Sequence, residues 1–265
     1  MDLYLLWVAF LLGIIEGVTE FLPVSSTGHL IIGANLLGYE SASSKVFEIV
    51  IQLGAIFAVL VEYRKKLLST FVGIHKDRIA QIFTLNLVIA FIPAAILGFF
   101  FHSYIKLYLF DPIVVGIALV VGGIIMILIE KKLPNRPKTD IDKISNHQSF
   151  IIGVAQCFSL IPGVSRAAST IMGGLIAGLD RKTATEFSFF LAIPIIFAAA
   201  SFDLVTNFNI LSKSDLPIFL VGFITAFISS YLVIKIFIKF VAHNTFIGFG
   251  WYRIIVGSLT IYYFF

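Results

Sequence analysis

The chain has 265 residues, 59% hydrophobic and 13% charged, whereas a soluble domain is about 45–50% apolar and about 25% charged. With a mean hydropathy of +1.01, that balance excludes an ordinary soluble globule and leaves an all-α polytopic membrane protein. The net charge of +4 reads as basic cytoplasmic loops, with no nucleic-acid partner expected, and the single cysteine, Cys157, excludes an intrachain disulfide.

Met1-Asp2-Leu3 lacks the basic n-region of a cleaved signal peptide, so the N-terminus is expected to belong to the mature fold. Residues 3–38 are apolar but are broken by Glu16, Glu20, Pro23 and the hydroxyls of Ser25-Ser26-Thr27. Two short arms around a polar middle predict a re-entrant hairpin, because arms of about 10–14 residues are too short to span. Spanning helices are expected over 46–63, 82–101 and 111–130. Residues 149–178 are broken by Pro162-Gly163 and Arg166 and predict a second hairpin, followed by spans at 184–206, 215–235 and 246–265. Non-helical backbone at membrane depth survives only where protein buries it or it lines a wet cavity. The expectation is one integral membrane domain over 1–265, with six spans and two re-entrant hairpins.

Basic residues set the sidedness. Arg64, Lys65, Lys66, Lys76 and Arg78 follow the first span, Lys131, Lys132, Arg136, Lys138 and Lys143 the third. Arg181 and Lys182 follow the second hairpin, and Lys235 and Lys239 the fifth span. All can be cytoplasmic together. The charge-poor loops 39–45, 102–110 and 207–214 are then external, as are both termini. The first hairpin would enter from outside and the second from the cytoplasm.

The chain also reads as duplicated. Gly13-Ile14-Ile15-Glu16-Gly17-Val18-Thr19 resembles Gly153-Val154-Ala155-Gln156-Cys157-Phe158-Ser159. A one-residue gap then aligns Pro23 with Pro162 and Ser26 with Ser165, and Ile56-Phe57-Ala58 matches Ile196-Phe197-Ala198. Repeat one covers about 1–130 and repeat two about 149–265. Each holds a hairpin and three spans, and three crossings invert the second copy. Such repeats place a site near the midplane, where broken helices meet.

Glu16 and Glu20 are four apart and share a helical face. With Arg166 they would cost on the order of 8 kcal/mol at the bilayer centre, summed naively from insertion scales. Relief must come from water, a metal ion, pairing or an ionic ligand; a purely structural Glu–Arg pair is the bland alternative. Pro23 stops one arm, and Ser25 or Ser26 can cap the next, aiming free amides at an anion. Gly28 lets the backbone approach a ligand. Ser26 and His29, three apart, could be a nucleophile and its base, or merely a cap and a hydrogen-bonded histidine. In the second tip Gly163 allows a tight turn, Ser165 can cap and Arg166 offers a fork for phosphate oxygens. Thr170 shares that face, or back-bonds to the helix carbonyls. Glu48, Gln52, Glu186 and Ser188 read as polar glue between helices or as supports near the site, and Arg253 as a snorkelling or internally paired cation.

Glu16-x-x-x-Glu20, "PVSSTGH" at 23–29 and "PGVSRAAST" at 162–170 together resemble the BacA-type undecaprenyl-diphosphate phosphatase family, over essentially the whole chain. The resemblance implies hydrolysis of the C55 polyprenyl diphosphate to the monophosphate and phosphate, recycling the lipid carrier of the bacterial cell wall. It implies dependence on Mg²⁺ or Ca²⁺, and bacitracin resistance by competition for the shared lipid. Carried over, Glu16 and Glu20 hold the metal or assist proton transfer. Ser26 and His29 match the proposed nucleophile and its partner. Ser165, Arg166 and Thr170 match the phosphate signature, and Ser25, Thr27 and Gly163 join the phosphate-binding set. Ala167 departs from the family's usual second serine, which weakens any role for a hydroxyl there. Ser26 attacking the terminal phosphorus competes with attack by a metal-bound water. The expected location is the bacterial inner membrane, with the site facing outward. The lipid bilayer and a polyprenyl diphosphate are the expected partners, and a homodimer is left open. The rival function is a polyprenyl-phosphate transporter using the same anion site.

Overall fold

The computed structural model describes residues 3–39, 44–109, 111–134, 136–206 and 215–265. The helices run α1 (Leu3–Thr19), α2 (Ser26–Leu36), α3 (Ser44–Glu62), α4 (Arg64–Gly73), α5 (Arg78–Tyr108) and α6 (Pro112–Lys132), then α7 (Asn146–Cys157), α8 (Arg166–Ile176), α9 (Arg181–Thr206), α10 (Leu216–Val241) and α11 (Ile247–Phe264). Among the described residues there is no strand. Side chains that take up free amides set several starts. Asp77 accepts from Ile79 N at α5, Asp111 from Ile113 and Val114 N at α6, and Ser145 with Gln148 forms a capping box at α7.

Five helices are long and apolar enough to cross a membrane: Ser44–Glu62, Arg78–Phe101, Pro112–Lys132, Arg181–Asp203 and Leu216–Val241. The sixth expected span, 246–265, forms the 18-residue helix α11 but is not among them. Arg253 stands at its middle beside Trp251 and Tyr252, and lowers its apolar character. The expected loop 102–110 is helical as far as Tyr108, since nothing between 102 and 109 is a glycine or proline. The expected loop 207–214, and residues 40–43 of the loop 39–45, lie outside the described residues. The basic link after the first span contains α4, which buries no residue and exposes Leu68, Phe71 and Val72 beside Arg64, Lys65 and Lys66. That composition suits the water–lipid boundary.

Two helix-break-helix hairpins, α1–α2 and α7–α8, sit among the longer helices. α1 packs along α10, α7 on α5, and α8 on α9. α6 touches α2, α8 and α11, so one helix lies against the second arm of both hairpins. It meets α11 at backbone distance: a Cβ on Gly116 would lie 3.0 Å from Gly257 O, and one on Gly123 2.6 Å from Gly250 O. At the far end of α6, Glu130 accepts from Arg181 Nε at 2.9 Å and Nη2 at 2.8 Å, and from Phe246 N at 3.1 Å. The starts of α9 and α11 are thereby tied to the end of α6. An aromatic core fills the space behind the first tip, with Phe21 fully buried edge-on to Phe189 at 5.2 Å.

Candidate active site

The two breaks use the same backbone device. Ser25 has φ 72° and Ser165 φ 76°, the positive-φ non-glycine residues of the described chain. Each is the N-cap of the helix that follows. Ser25 Oγ accepts from Gly28 N at 3.4 Å, and Ser165 Oγ from Ala168 N at 3.2 Å. Of the two serines that could cap α2, Ser25 does so. Ser26 is thereby the first residue of α2 and Arg166 the first of α8.

These two first residues meet at Glu20. Ser26 Oγ donates to Glu20 Oε2 at 2.5 Å, and Arg166 Nη2 donates to Glu20 Oε1 at 3.0 Å. The chain hydroxyl–carboxylate–guanidinium therefore joins the two hairpins through side chains that are nearly buried. Arg166 Nη1 is held by Ser188 O at 2.9 Å and Ser188 Oγ at 3.2 Å, and its guanidinium lies 5.7 Å from the Phe21 ring centroid. Arg166 Nε is buried with no partner. The fork is thus clamped on one side and has an unused donor.

Glu16, one turn before Glu20, is fully buried, and neither carboxylate oxygen has a hydrogen-bond partner. A buried orphan carboxylate is costly unless a proton or a cation offsets it. Among the described residues no group of three or more His, Cys, Asp or Glu side chains could hold a metal by itself. Glu16 with a shared Glu20 therefore fits a hard cation only if water and substrate oxygens complete its shell, as Mg²⁺ and Ca²⁺ sites on phosphates do.

The contacts of His29 depart from expectation, whereas Gly163 and Thr170 make the turn and the back-bond that their sequence context allows. Ser26 and His29 are not a pair: the helix turn carries His29 away toward α11. There Nδ1 donates to Ser25 O at 2.8 Å, and in the neutral ring Nε2 accepts from the Tyr252 hydroxyl at 2.7 Å. The two rings are parallel, with centroids 5.6 Å apart. Gly163 makes the tight turn expected of it, packed against α6. Its φ is 93°, and an added Cβ would fall 2.5 Å from Val115 O. Thr170 Oγ1 back-bonds to Arg166 O at 2.9 Å and meets Ser188 Oγ at 2.7 Å, bracing the arginine from behind. Thr27 sits partly exposed beside Ser26.

Sequence reasoning placed Ser188 as glue or as a support near the site, and gave Tyr252 no role; one aromatic in an aromatic-rich helix carries no signal. Arg253 did carry one, as a lone cation in an apolar helix. It is fully buried and reaches both tips.

The family model described as "Bacitracin resistance protein BacA" matches residues 9–259. An undecaprenyl-diphosphatase of Methylobacillus flagellatus is 50% identical, covering 100% of this chain and 100% of its own. One from Aromatoleum aromaticum is 48% identical over 98% of this chain and 95% of its own. One from Neisseria gonorrhoeae is 47% identical over 98% of this chain and 96% of its own.

Proposed function

The chain belongs to the BacA family, and on that premise we propose that it hydrolyses undecaprenyl diphosphate to undecaprenyl phosphate and inorganic phosphate. The observation that carries the site assignment is the Ser26–Glu20–Arg166 chain across the two tips. The distal phosphate sits against the start of α8, where Arg166 and the first amides of α2 and α8 offset its charge. Ser26 Oγ attacks the distal phosphorus and passes its proton to Glu20. The bond to the bridging oxygen breaks, and the prenyl monophosphate leaves. Glu20 gives that proton to the departing monophosphate; water then attacks the phosphoserine and passes a proton to Glu20, which returns it to Ser26 Oγ as inorganic phosphate leaves. Here the base is Glu20 in place of His29, because Glu20 Oε2 accepts the hydrogen bond of the Ser26 hydroxyl. Glu16 and Glu20 would hold Mg²⁺ or Ca²⁺, which when bound neutralises diphosphate charge. A transporter needs the arginine and the amides but no carboxylate on a serine hydroxyl, so the hydrolase is favoured. Such turnover recycles the wall-lipid carrier and confers bacitracin resistance.

In the membrane, α11 is the sixth span. The hairpins α1–α2 and α7–α8 enter from opposite faces as an inverted repeat, and the site opens outward. The ion pairs Lys66–Asp142, Arg181–Glu130 and Lys235–Glu62, which tie the basic segments to one another and to the ends of the spans, and the serine cap common to both tips support this arrangement.

Phosphate release from a polyprenyl diphosphate by purified protein, with and without EDTA, tests the chemistry. Trapping ³²P on Ser26 tests the covalent step, and a Ser26→Ala protein with near-normal turnover would sink it. For topology, a cysteine at Gly38 should react with an impermeant maleimide in intact cells, and one at Ser145 only after permeabilisation, in a Cys157→Ser background.

A further inference from the structure

Arg253 is fully buried in α11, and among the described residues it forms no salt bridge. A buried guanidinium must find acceptors for five N–H groups. It finds five backbone carbonyls. Nε donates to Leu119 O at 3.4 Å; Nη1 to Pro23 O at 3.2 Å and Val164 O at 2.8 Å; Nη2 to Ala118 O at 3.3 Å and Gly163 O at 3.0 Å. Two of these acceptors belong to α6. The other three are tip carbonyls: Pro23 in the first break, Gly163 and Val164 in the second.

From this geometry we infer that Arg253 is the positioning residue of the site, one cation that locks both hairpin tips in register so that Ser26 and Arg166 meet at Glu20. The inference rests on the proposed hydrolysis for its catalytic meaning, and on the hydrogen bonds alone for its structural meaning. Pro23, Gly163 and Val164 lie outside any helix, so no intrahelical amide takes their oxygens. They stand within two residues of Ser25 and Ser165, the two residues at positive φ. Such backbone persists only where its surroundings over-determine it. Each strained serine is followed directly by a residue of the site, Ser26 in one tip and Arg166 in the other.

Two further features serve this one side chain. Gly122 makes room for it, since a Cβ there would lie 2.2 Å from Nη2. α6 and α11 also share a glycine spacing, Gly116 with Gly123 and Gly250 with Gly257. Three residues after the first glycine, α6 carries Leu119 and α11 carries Arg253. At matching places on the two packed helices, only α11 carries the cation, and that cation serves both tips. Lysine has three donors and no planar fork, so it cannot span five carbonyls on three segments.

The test uses full-length protein in detergent. Arg253→Met keeps the bulk and removes the donors. Hydrogen exchange of peptides covering 23–28 and 163–168 should rise at both tips, by about tenfold or more, while α3 and α10 stay protected. Phosphate release should lose about 100-fold in kcat with KM within about threefold, the signature of misplaced reacting groups. Arg253→Lys should recover less than about tenfold of that loss. If Arg253→Met does not fold, Gly122→Ala, which displaces the guanidinium and keeps it, should show the same paired exchange. Faster exchange at one tip only, uniform loosening of all helices, or a loss confined to KM overturns the inference. If the wild-type protein releases no phosphate while both tips still loosen together, the proposed hydrolysis fails and the clamp stands.

Discussion

The first tip and the second share a backbone and differ in charge. Both break a helix, set a serine at positive φ as N-cap, and restart with a polar residue that reaches Glu20. The first carries the acids and the hydroxyl, Glu16, Glu20 and Ser26; the second carries Arg166, braced by Thr170 and Ser188. The residue aligned with Glu16 is Gln156, and the two behave differently. Gln156 is neutral and its amide donates to Ala90 O at 3.4 Å, whereas Glu16 is left without any partner. A common scaffold thus brings the first residues of two helices to one carboxylate, and side chains divide the labour between them.

The largest effect should come from cutting the link between the tips. Glu20→Gln and Arg166→Ala should each lower kcat/KM by about 10³-fold, the upper range for losing one preorganised donor or base. The double variant should be at most about tenfold worse than either single one, because groups acting as a unit are not additive. Arg166→Ala strands Glu20 in a buried setting, where breaking a pair costs about 3–5 kcal/mol. The double variant with both charges removed should therefore melt above Arg166→Ala. Additive kinetic losses would show that the two tips act separately.

The glycines sharpen the contrast. Gly163 in the second tip combines φ 93° with a would-be Cβ only 2.5 Å from Val115 O. A left-handed alanine costs about 1–2 kcal/mol, and overpacking a further 1–3 kcal/mol or so. Gly28 in the first tip is helical, and its Cβ would meet the methyls of Leu119 and Val115 at 3.3 Å and Ser25 Oγ at an ordinary 3.6 Å. There the roughly 1 kcal/mol helix preference for alanine offsets the crowding. In detergent melts, Gly163→Ala should lower Tm by several degrees or prevent folding, while Gly28→Ala should leave it nearly unchanged. The reverse order would mean that the second tip is the more tolerant one.

Much of this was legible in the sequence, and the reason differs by level. The hairpins could be read because Pro23 and Pro162-Gly163 interrupt apolar runs, and the seryl caps because helix starts need an acceptor. The meeting of Glu20 with Arg166 could be expected only as a need for charge relief; which atoms touch depends on helix phase across 146 residues of chain. The partners of Ser26 and His29 were hidden for the same reason. Spacing put them on one face, but the Ser25 carbonyl captures His29 Nδ1 and Tyr252 takes its other nitrogen. The sixth span was drawn from a mostly apolar stretch of sufficient length, and Arg253 is what separates α11 from the five more apolar helices.

Tyr252 touches the first tip without belonging to either hairpin. Tyr252→Phe keeps the stacked ring and removes the hydroxyl from His29 Nε2. A neutral hydrogen bond is worth about 1 kcal/mol, so a fall in turnover of about fivefold is expected, with Tm unchanged. A loss above about 100-fold would place the Tyr252 hydroxyl within the reaction itself, and no change would leave His29 without a functional need for that contact.

The smallest expected effect separates the two jobs of the capping serines. Replacing either Ser25 or Ser165 by alanine removes the cap, about 1 kcal/mol, and leaves a side chain at positive φ. Tm should fall by about 2–4 °C in a chain of this size. Glycine also removes the cap but accepts φ 72° or 76° without strain, so Ser25→Gly and Ser165→Gly should melt within a degree or so of wild type. Turnover then tells whether the hydroxyls touch phosphate as well. If they serve only as caps, the glycine variants keep both stability and turnover. If Ser165 also binds the substrate, Ser165→Gly keeps its Tm and raises KM, while Ser25→Gly, in the acidic tip, does not. Equal kinetic losses at the two positions would show that the tips share phosphate binding and that the division of labour lies only in Glu16, Glu20 and Arg166.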